Sequence, residues 1–280
     1  MQEGRLVRID SHQHFWVYDS EEFGWTGGPD SPISKSFAPE QLGPLLSANG
    51  FDGAVAVQAR SSLAENDYLL GLADVHDFIR GVVGWVDLLS PDVEAQLAKY
   101  ASHPKFKGVR HIAQGEADDF LAREDFARGV KALSAFGLTY DILIYHRQLP
   151  AAIELVRKFP EQPFVVDHIA KPDIKGGALE PWKERIRELA KHETVMCKVS
   201  GMVTEADASA WKDGDFAPYL ETVFEAFGPS RLMYGSDWPV CLLGADYAGA
   251  LGIVERATAE WSEADRERLF GGNCAAFYGI

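Results

Sequence analysis

Two histidines separated by one residue, His12 and His14, are the first side chains in the sequence whose spacing suggests chemistry. They end a short segment with β-strand character, and residues two apart on a strand point to the same face. Two imidazoles on one face are suited to chelating a divalent metal ion. We therefore predict that His12 and His14 are metal ligands. The structural alternative is that one caps a loop and the other hydrogen-bonds a neighbour.

Asp237 is the second candidate, and it follows the apolar segment Met233–Tyr234 near the end of the chain. A carboxylate at the end of a strand could ligate a metal, act as a general base toward water, or do both. A turn-forming aspartate before a proline-containing loop is the structural alternative.

Further charged residues follow other strand-like segments. His168 is predicted to be a ligand or proton donor, with a buried structural histidine as the alternative. Its neighbour Asp167 is expected to point away, because successive strand residues alternate in direction. Arg110 could bind a carboxylate or a developing oxyanion. For the same reason of alternation, only one of Arg110 and His111 should face a pocket.

Four weaker candidates for substrate binding are polar residues near strand ends. A solvated or salt-bridged lysine is the structural alternative for the last of them. The four are Gln58, Tyr145, His146 and Lys198.

The elements that must position these residues alternate between strand-like and helical patterns. This alternation predicts a parallel sheet, and eight units favour a closed (β/α)8 barrel of the TIM type, with catalytic groups at the carboxyl ends of its strands. An open doubly wound sheet is the runner-up, but no GxGxxG follows the first strand. The predicted strands are Leu6–Asp10, Ala54–Gln58, Gly81–Asp87, Gly108–His111, Tyr140–Tyr145, Phe164–His168, Val195–Val199 and Leu232–Gly235.

We find no linker that would divide the chain, so residues 1–280 are predicted to form a single domain. Tyr18–Ser36 is rich in Gly, Pro, Asp and Ser and is predicted to be a long loop near the substrate. Asp265–Ile280 is predicted to be a final helix that packs on the barrel through Phe270, Phe277 and Tyr278.

The amino-acid composition argues against several classes of function. The chain has 280 residues, a formal net charge of −15 and 46% hydrophobic residues. This acidity, with no basic cluster, argues against nucleic acid as a partner. Three cysteines without a CxxC pair suit a reducing compartment. With no apparent signal peptide or membrane span, we expect a cytoplasmic protein without a membrane partner. No GxSxG or P-loop motif is present.

Five segments together resemble the amidohydrolase superfamily, and within it the branch that opens sugar lactones. The similarity extends over essentially the whole chain and is specific as a set. The segments are Ile9–Trp16, Gly108–His111, Val166–Pro172, Cys197–Gly201 and Tyr234–Val240.

This resemblance implies a distorted (β/α)8 barrel that hydrolyses a sugar lactone to its aldonic acid. The implied substrate is L-fucono-1,5-lactone or a related L-galactono- or D-arabinono-lactone. From their chemistry we expect Asp237 to be the general base, with Arg110 and His168 completing the catalytic set. His12, His14, His168 and Asp237 would occupy the usual metal and base positions. The residues expected to hold the sugar are Gln58, His111, Tyr145, His146 and Trp238.

One departure from the family pattern concerns the metal. Many metal-dependent members carry a bridging lysine on strand four, where this chain has Arg110-His111. We therefore expect at most one divalent metal, zinc, and leave a metal-free reaction open. Four other functions are kept as alternatives: hydrolysis of rhamnonolactone, hydrolysis of a dicarboxylate lactone, decarboxylation of an aromatic acid, and non-catalytic binding of a sugar acid. A monomer or small homo-oligomer is expected.

Overall fold

A computed structural model describes residues 7–280. Eight parallel strands form one sheet in the order β1 to β8, with an α-helix between each consecutive pair, which confirms the (β/α)8 prediction. The strands are Ile9–Gln13 (β1), Gly53–Val57 (β2), Ile79–Gly84 (β3), Phe106–His111 (β4), Thr139–Ile142 (β5), Phe164–Val166 (β6), Val195–Val199 (β7) and Leu232–Tyr234 (β8).

Amphipathic helices cover the outside of the sheet. The α-helices are Pro39–Ala48 (α1), Leu63–Val75 (α2), Val93–Ala101 (α3), Glu124–Ala132 (α4), Leu149–Lys158 (α5), Trp182–Ala190 (α6), Asp213–Phe227 (α7), Tyr247–Ala257 (α8), Glu263–Glu267 (α9) and Asn273–Tyr278 (α10). Among residues 7–280, no helix is both long and apolar enough to cross a membrane.

The first strand is displaced from its predicted position, which was Leu6–Asp10, where Leu6 is outside the described residues. The structure begins β1 at Ile9 and continues it through Gln13, and all five residues are buried. The prediction followed apolar residues, whereas four of the five residues in β1 are polar. Consequently His12 belongs to the strand itself, below the barrel mouth.

The barrel is distorted but closes between β1 and β8 at the level of the candidate residues. The amide of Asp237 donates to the carbonyl of His12 at 2.8 Å, and the amide of His14 donates to the carbonyl of Trp238 at 2.7 Å. The interior below this closure is filled by alternate apolar side chains, as expected for a small barrel. They include Ile9, Val55, Val57, Val83, Val165 and Met233.

The chain's end differs from the predicted single helix over Asp265–Ile280. It forms α9 and α10, separated by a π-helical turn at Arg268–Gly272. Gly271 lies against the backbone carbonyl of Val7, where a Cβ atom would not fit, so the helix breaks where it crosses the start of β1. Tyr278 then reaches the barrel interior, while Phe270 packs on Tyr234 with ring centres 5.6 Å apart.

Candidate active site

Asp10 joins the first and last strands directly beneath the candidate residues. Its Oδ1 accepts from the amides of His12 at 3.2 Å and Ser236 at 2.9 Å, and Tyr247 donates to Oδ2 at 3.1 Å. Burial raises the pKa of Asp10 to about 6, and these donors oppose the shift. The carboxylate therefore ties the His12 and Asp237 segments together.

A left-handed turn follows β6. His168, Ile169, Ala170 and Lys171 have φ values of 54°, 49°, 60° and 46°. Such a conformation costs L-residues about 1–2 kcal/mol each, and backbone strain of this kind clusters at functional sites. The alternation of side-chain direction along the strand ends at this turn, so both Asp167 and His168 face the barrel axis. The prediction that Asp167 points away is therefore wrong, since its Oδ1 lies 3.4 Å from His12 Nδ1.

Three imidazoles surround the carboxylate of Asp237, which also has a left-handed φ of 57°. Asp237 Oδ1 lies 3.9 Å from His12 Nε2, 3.4 Å from His14 Nε2 and 3.8 Å from His168 Nε2. All four residues are at most 3% exposed. The fold therefore brings together the residues that the sequence predicted as metal ligands and base.

Burial and charge determine the protonation states in this cluster. Burial lowers the pKa of His12 well below its ordinary value, with Lys198 adding to the shift, and burial likewise lowers that of His168 despite the attraction of Asp237. Burial alone would raise the pKa of Asp237, but His168, His14 and Lys171 bring it below its usual value. At neutral pH the site thus combines an ionised carboxylate with neutral His12 and His168.

The donor set fits a single divalent metal ion. The carbonyl of Val57 can only accept, so His14 Nδ1, 2.7 Å away, donates to it, and in the neutral ring Nε2 then carries the lone pair. That lone pair faces His12 Nε2 at 3.2 Å, and Arg110 Nη1 donates toward the same His12 atom at 3.2 Å. Two lone pairs facing each other beside a carboxylate are an arrangement that a cation would stabilise.

His12, His168 and Asp237 also present ligand atoms within 4.8 Å of one another. The distal nitrogen of His168, Nδ1, lies 2.8 Å from Ser200 Oγ. Such outer partners are typical of metal-binding histidines. With His14, these residues would hold the ion, which when bound would act as a Lewis acid.

A buried charge network supports the cluster from below. Lys198 Nζ contacts Asp141 Oδ2 at 2.5 Å and Asp167 Oδ1 at 3.1 Å, and Tyr278 donates to Asp141 Oδ2 at 2.7 Å. Arg110 Nη1 lies 3.3 Å from Asp167 Oδ2. Burial opposes the charge of Lys198, but the two aspartates outweigh it and raise the pKa of this lysine. The network therefore holds Asp167 against His12 and Arg110.

A cavity of about 480 Å³ opens above the cluster. His14, Arg110, His168 and Asp237 line its reactive end. Its remaining polar lining is formed by Gln114, Tyr145, Lys171, Thr204 and Glu205, and its apolar lining by Trp25, Ala59, Ile112, Leu143, Val240 and Leu243.

The predicted long loop contributes Trp25 to this cavity. Tyr18–Ser36 contains only a short 3-10 turn at Gly24–Thr26, and Trp25 packs edge-on against Trp16 with ring centres 5.5 Å apart. The loop therefore borders the mouth, as its composition suggested.

Other predicted substrate-binding residues lie around the cavity rather than on its surface. Gln58 and Lys198 are fully buried, and Gln58 Oε1 accepts from Arg110 Nη2 at 3.0 Å. His111 stacks on Phe120 with ring centres 5.0 Å apart, on the opposite side of β4 from Arg110. For these three residues, substrate contact stays a prediction.

His146 and Trp238 also have protein partners. His146 Nδ1 lies 3.0 Å from the carbonyl of Lys171. Trp238 is 2% exposed and packs edge-on against Phe37 with ring centres 5.2 Å apart. Their contact with substrate likewise stays a prediction, as does that of Tyr145, which lines the cavity.

Sequence reasoning missed four residues that matter here. Asp141 lies inside a strand whose apolar neighbours concealed it, and Asp167 was assigned the wrong direction. Lys171 belongs to a recognised motif but had no assigned role. Glu205 lies beyond β7 in a loop and had no assigned role.

Comparison with known proteins places the chain in a family. Residues 9–280 match the amidohydrolase family, and the chain belongs to it. An L-fucono-1,5-lactonase of Burkholderia multivorans is 40% identical, over 98% of this chain and 96% of the relative. A second L-fucono-1,5-lactonase, from Burkholderia ambifaria, is 39% identical with the same two coverages.

A solved structure resembles the fold and is 40% identical in sequence. A crystal structure of a Burkholderia multivorans amidohydrolase with bound zinc superimposes with a TM-score of 0.94, over 98% of this chain and 99% of that one. The overall fold is therefore shared with a relative whose crystal structure contains bound zinc.

Proposed function

We propose that this protein hydrolyses a sugar lactone, of the L-fucono-1,5-lactone type, to the aldonic acid. The observation that carries the proposal is the buried, ionised carboxylate of Asp237 among three imidazoles at the end of a cavity. The lactonase relatives, aligned over nearly the whole chain, support the choice of substrate class.

In the proposed mechanism, Asp237 takes a proton from a water molecule as that water attacks the lactone carbonyl. Its ionised state at neutral pH suits it to this role. The carbonyl oxygen becomes an oxyanion, stabilised by Arg110 or His168. Arg110 lines the reactive end of the cavity, so its guanidinium is placed close to where the carbonyl would bind.

The second step cleaves the bond between the carbonyl carbon and the ring oxygen. The oxyanion collapses to a carboxylic acid, and the leaving ring oxygen receives a proton from protonated Asp237 or from a histidine. One water is consumed, and the aldonic acid then ionises. A proton released per turnover makes the reaction visible with a pH indicator.

Asp237→Asn tests the assignment of the base. Loss of a general base costs about 10²–10⁴-fold in rate, and we expect kcat to fall in that range while the thermal unfolding curve is retained. Asp30→Asn, at an exposed position in the loop after β1, is the matched control. Near-wild-type turnover by Asp237→Asn would refute the role of this residue.

The substrate is tested with a panel of L-fucono-, L-galactono-, L-rhamnono- and D-arabinono-lactones, assayed with and without a chelator. We expect hydrolysis of the L-fucono compound or a close relative of it. Hydrolysis of none of the four would contradict the proposed function. Loss of activity in the assays with chelator would indicate a zinc-assisted reaction, and retained activity a reaction carried out by the side chains alone.

A further inference from the structure

Lys171 and Glu205 form a polar section of the cavity wall that the proposed mechanism does not use. Both side chains line the cavity, and they are 14% and 18% exposed. Lys171 Nζ lies 3.7 Å from Glu205 Oε1. This separation exceeds the roughly 2.7–3.2 Å of an N–H···O hydrogen bond, so the ammonium and the carboxylate retain free donors and acceptors.

The backbone holds Lys171 rigidly. Its φ of 46° is the last of the four left-handed values after β6. Its amide donates to the carbonyl of His168 at 2.8 Å, and its own carbonyl lies 3.0 Å from His146 Nδ1. The ammonium lies 5.4 Å from the centre of the Tyr145 ring. A strained turn supported from two sides thus presents this cation to the cavity, as expected of a functional group.

Glu205 is held by the loop after β7. The Lys175 amide donates to its backbone carbonyl at 2.9 Å, and the neighbouring Thr204 Oγ1 donates to the carbonyl of Gly201 at 2.8 Å. The two elements that carry the ion pair are therefore joined beside it. An ammonium and a carboxylate so spaced can bind a hydroxyl group, which accepts from the first and donates to the second.

We propose that Lys171 and Glu205 bind ring hydroxyl groups of the substrate and so select polyhydroxylated lactones over unsubstituted ones. This inference rests on the proposed function and names residues for its substrate specificity. A site built to hydrogen-bond a hydroxyl group rejects an analogue that lacks it, because its buried polar groups are then left unpaired.

The test compares kcat/KM for the most active sugar lactone of the panel with that for δ-valerolactone, which has no hydroxyl groups. We expect Lys171→Met and Glu205→Gln each to lower the ratio of the two values at least tenfold, mainly through a higher KM for the sugar lactone. Lys171→Arg keeps a cation with several donors and should retain a higher ratio than Lys171→Met. Lys131→Met, at an exposed position on α4 away from the cavity, is the matched control and should leave the ratio unchanged.

Three results would count against this inference. An unchanged ratio in Lys171→Met and Glu205→Gln, or equal losses on both lactones, would overturn it while the proposed function stands. A ratio in Lys171→Arg no higher than in Lys171→Met would do the same. A wild-type protein that opens neither lactone would overturn the proposed function together with the inference.

Discussion

His12 lies between two fixed cations. Arg110 Nη1 is 3.2 Å from its Nε2, and Lys198 Nζ is 3.2 Å from its Nδ1. Such charges would be untenable in a buried site without Asp141 and Asp167, which lie against them. Burial lowers the pKa of His12 most, and these cations, held by residues from several strands, lower it further.

We predict that removing the Lys198 ammonium lowers the stability of the protein. Lys198→Met would leave Asp141 and Asp167 partly uncompensated in a buried site, and the free energy of unfolding should fall by about 3–5 kcal/mol. Urea unfolding followed by circular dichroism measures this change.

The matched control for that substitution is Lys158→Met. Lys158 pairs with Glu124, whose side chain is 89% exposed, so its loss should cost about 0–1 kcal/mol. Equal effects of the two substitutions would contradict the account of the buried network.

Two neighbouring elements position His168. The left-handed turn after β6 directs its ring inward, and the start of the loop after β7 supports it through Ser200. Gly201 follows with a φ of 60°, and a Cβ atom there would come within 2.6 Å of His168 Cγ. A glycine is required at this point both for the backbone conformation and for the approach of the ring.

Gly201→Ala is therefore expected to displace His168. A misplacement of about 1 Å in a catalytic group can cost about 10²-fold in rate, and we expect kcat to fall by that order. The measurement is the pH-indicator assay on the best lactone of the panel.

Gly177→Ala separates displacement from backbone strain. Gly177 also has a positive φ, of 66°, but nothing lies within 4 Å of the position its Cβ would take. We expect this variant to lose some stability and to retain its kcat. An equal loss of kcat in both variants would argue against the positioning of His168 by Gly201.

The whole barrel is closed at its base by the end of the chain. Tyr278 and Cys274, both on α10, pack with the interior residues of the strands, and the Tyr278 hydroxyl donates to Asp141 at 2.7 Å. The last helix is thereby connected through Asp141 and Lys198 to His12. Stability of the base and geometry of the site therefore share one set of contacts.

Tyr278→Phe removes one donor from a buried carboxylate and should lower the free energy of unfolding by about 1–3 kcal/mol. Tyr234→Phe is the comparison, because the Tyr234 hydroxyl is buried with no hydrogen-bond partner among the described residues. Its removal should cost nothing or stabilise the protein. Urea unfolding of both variants tests this, and a larger loss in Tyr234→Phe would contradict it.

Much of the architecture was predictable from local patterns. Val195–Val199 was predicted with the bounds observed for β7, because four of its five residues are apolar and a valine stands at each end. The predicted position of β1 was wrong because the buried residues of that strand are mostly polar. The final helix was predicted to be unbroken because its break depends on the contact of Gly271 with Val7, which joins the two ends of the chain.

The sequence by itself determined the family, the barrel and a set of candidate site residues, because strand periodicity and short motifs are local properties of the chain. The tertiary structure decided which side chains meet. It turned Asp167 inward through a left-handed turn, placed Lys198 beneath His12, and set Lys171 opposite Glu205. Those outcomes depend on backbone direction after strand ends and on contacts between distant segments, which residue types and spacing do not encode.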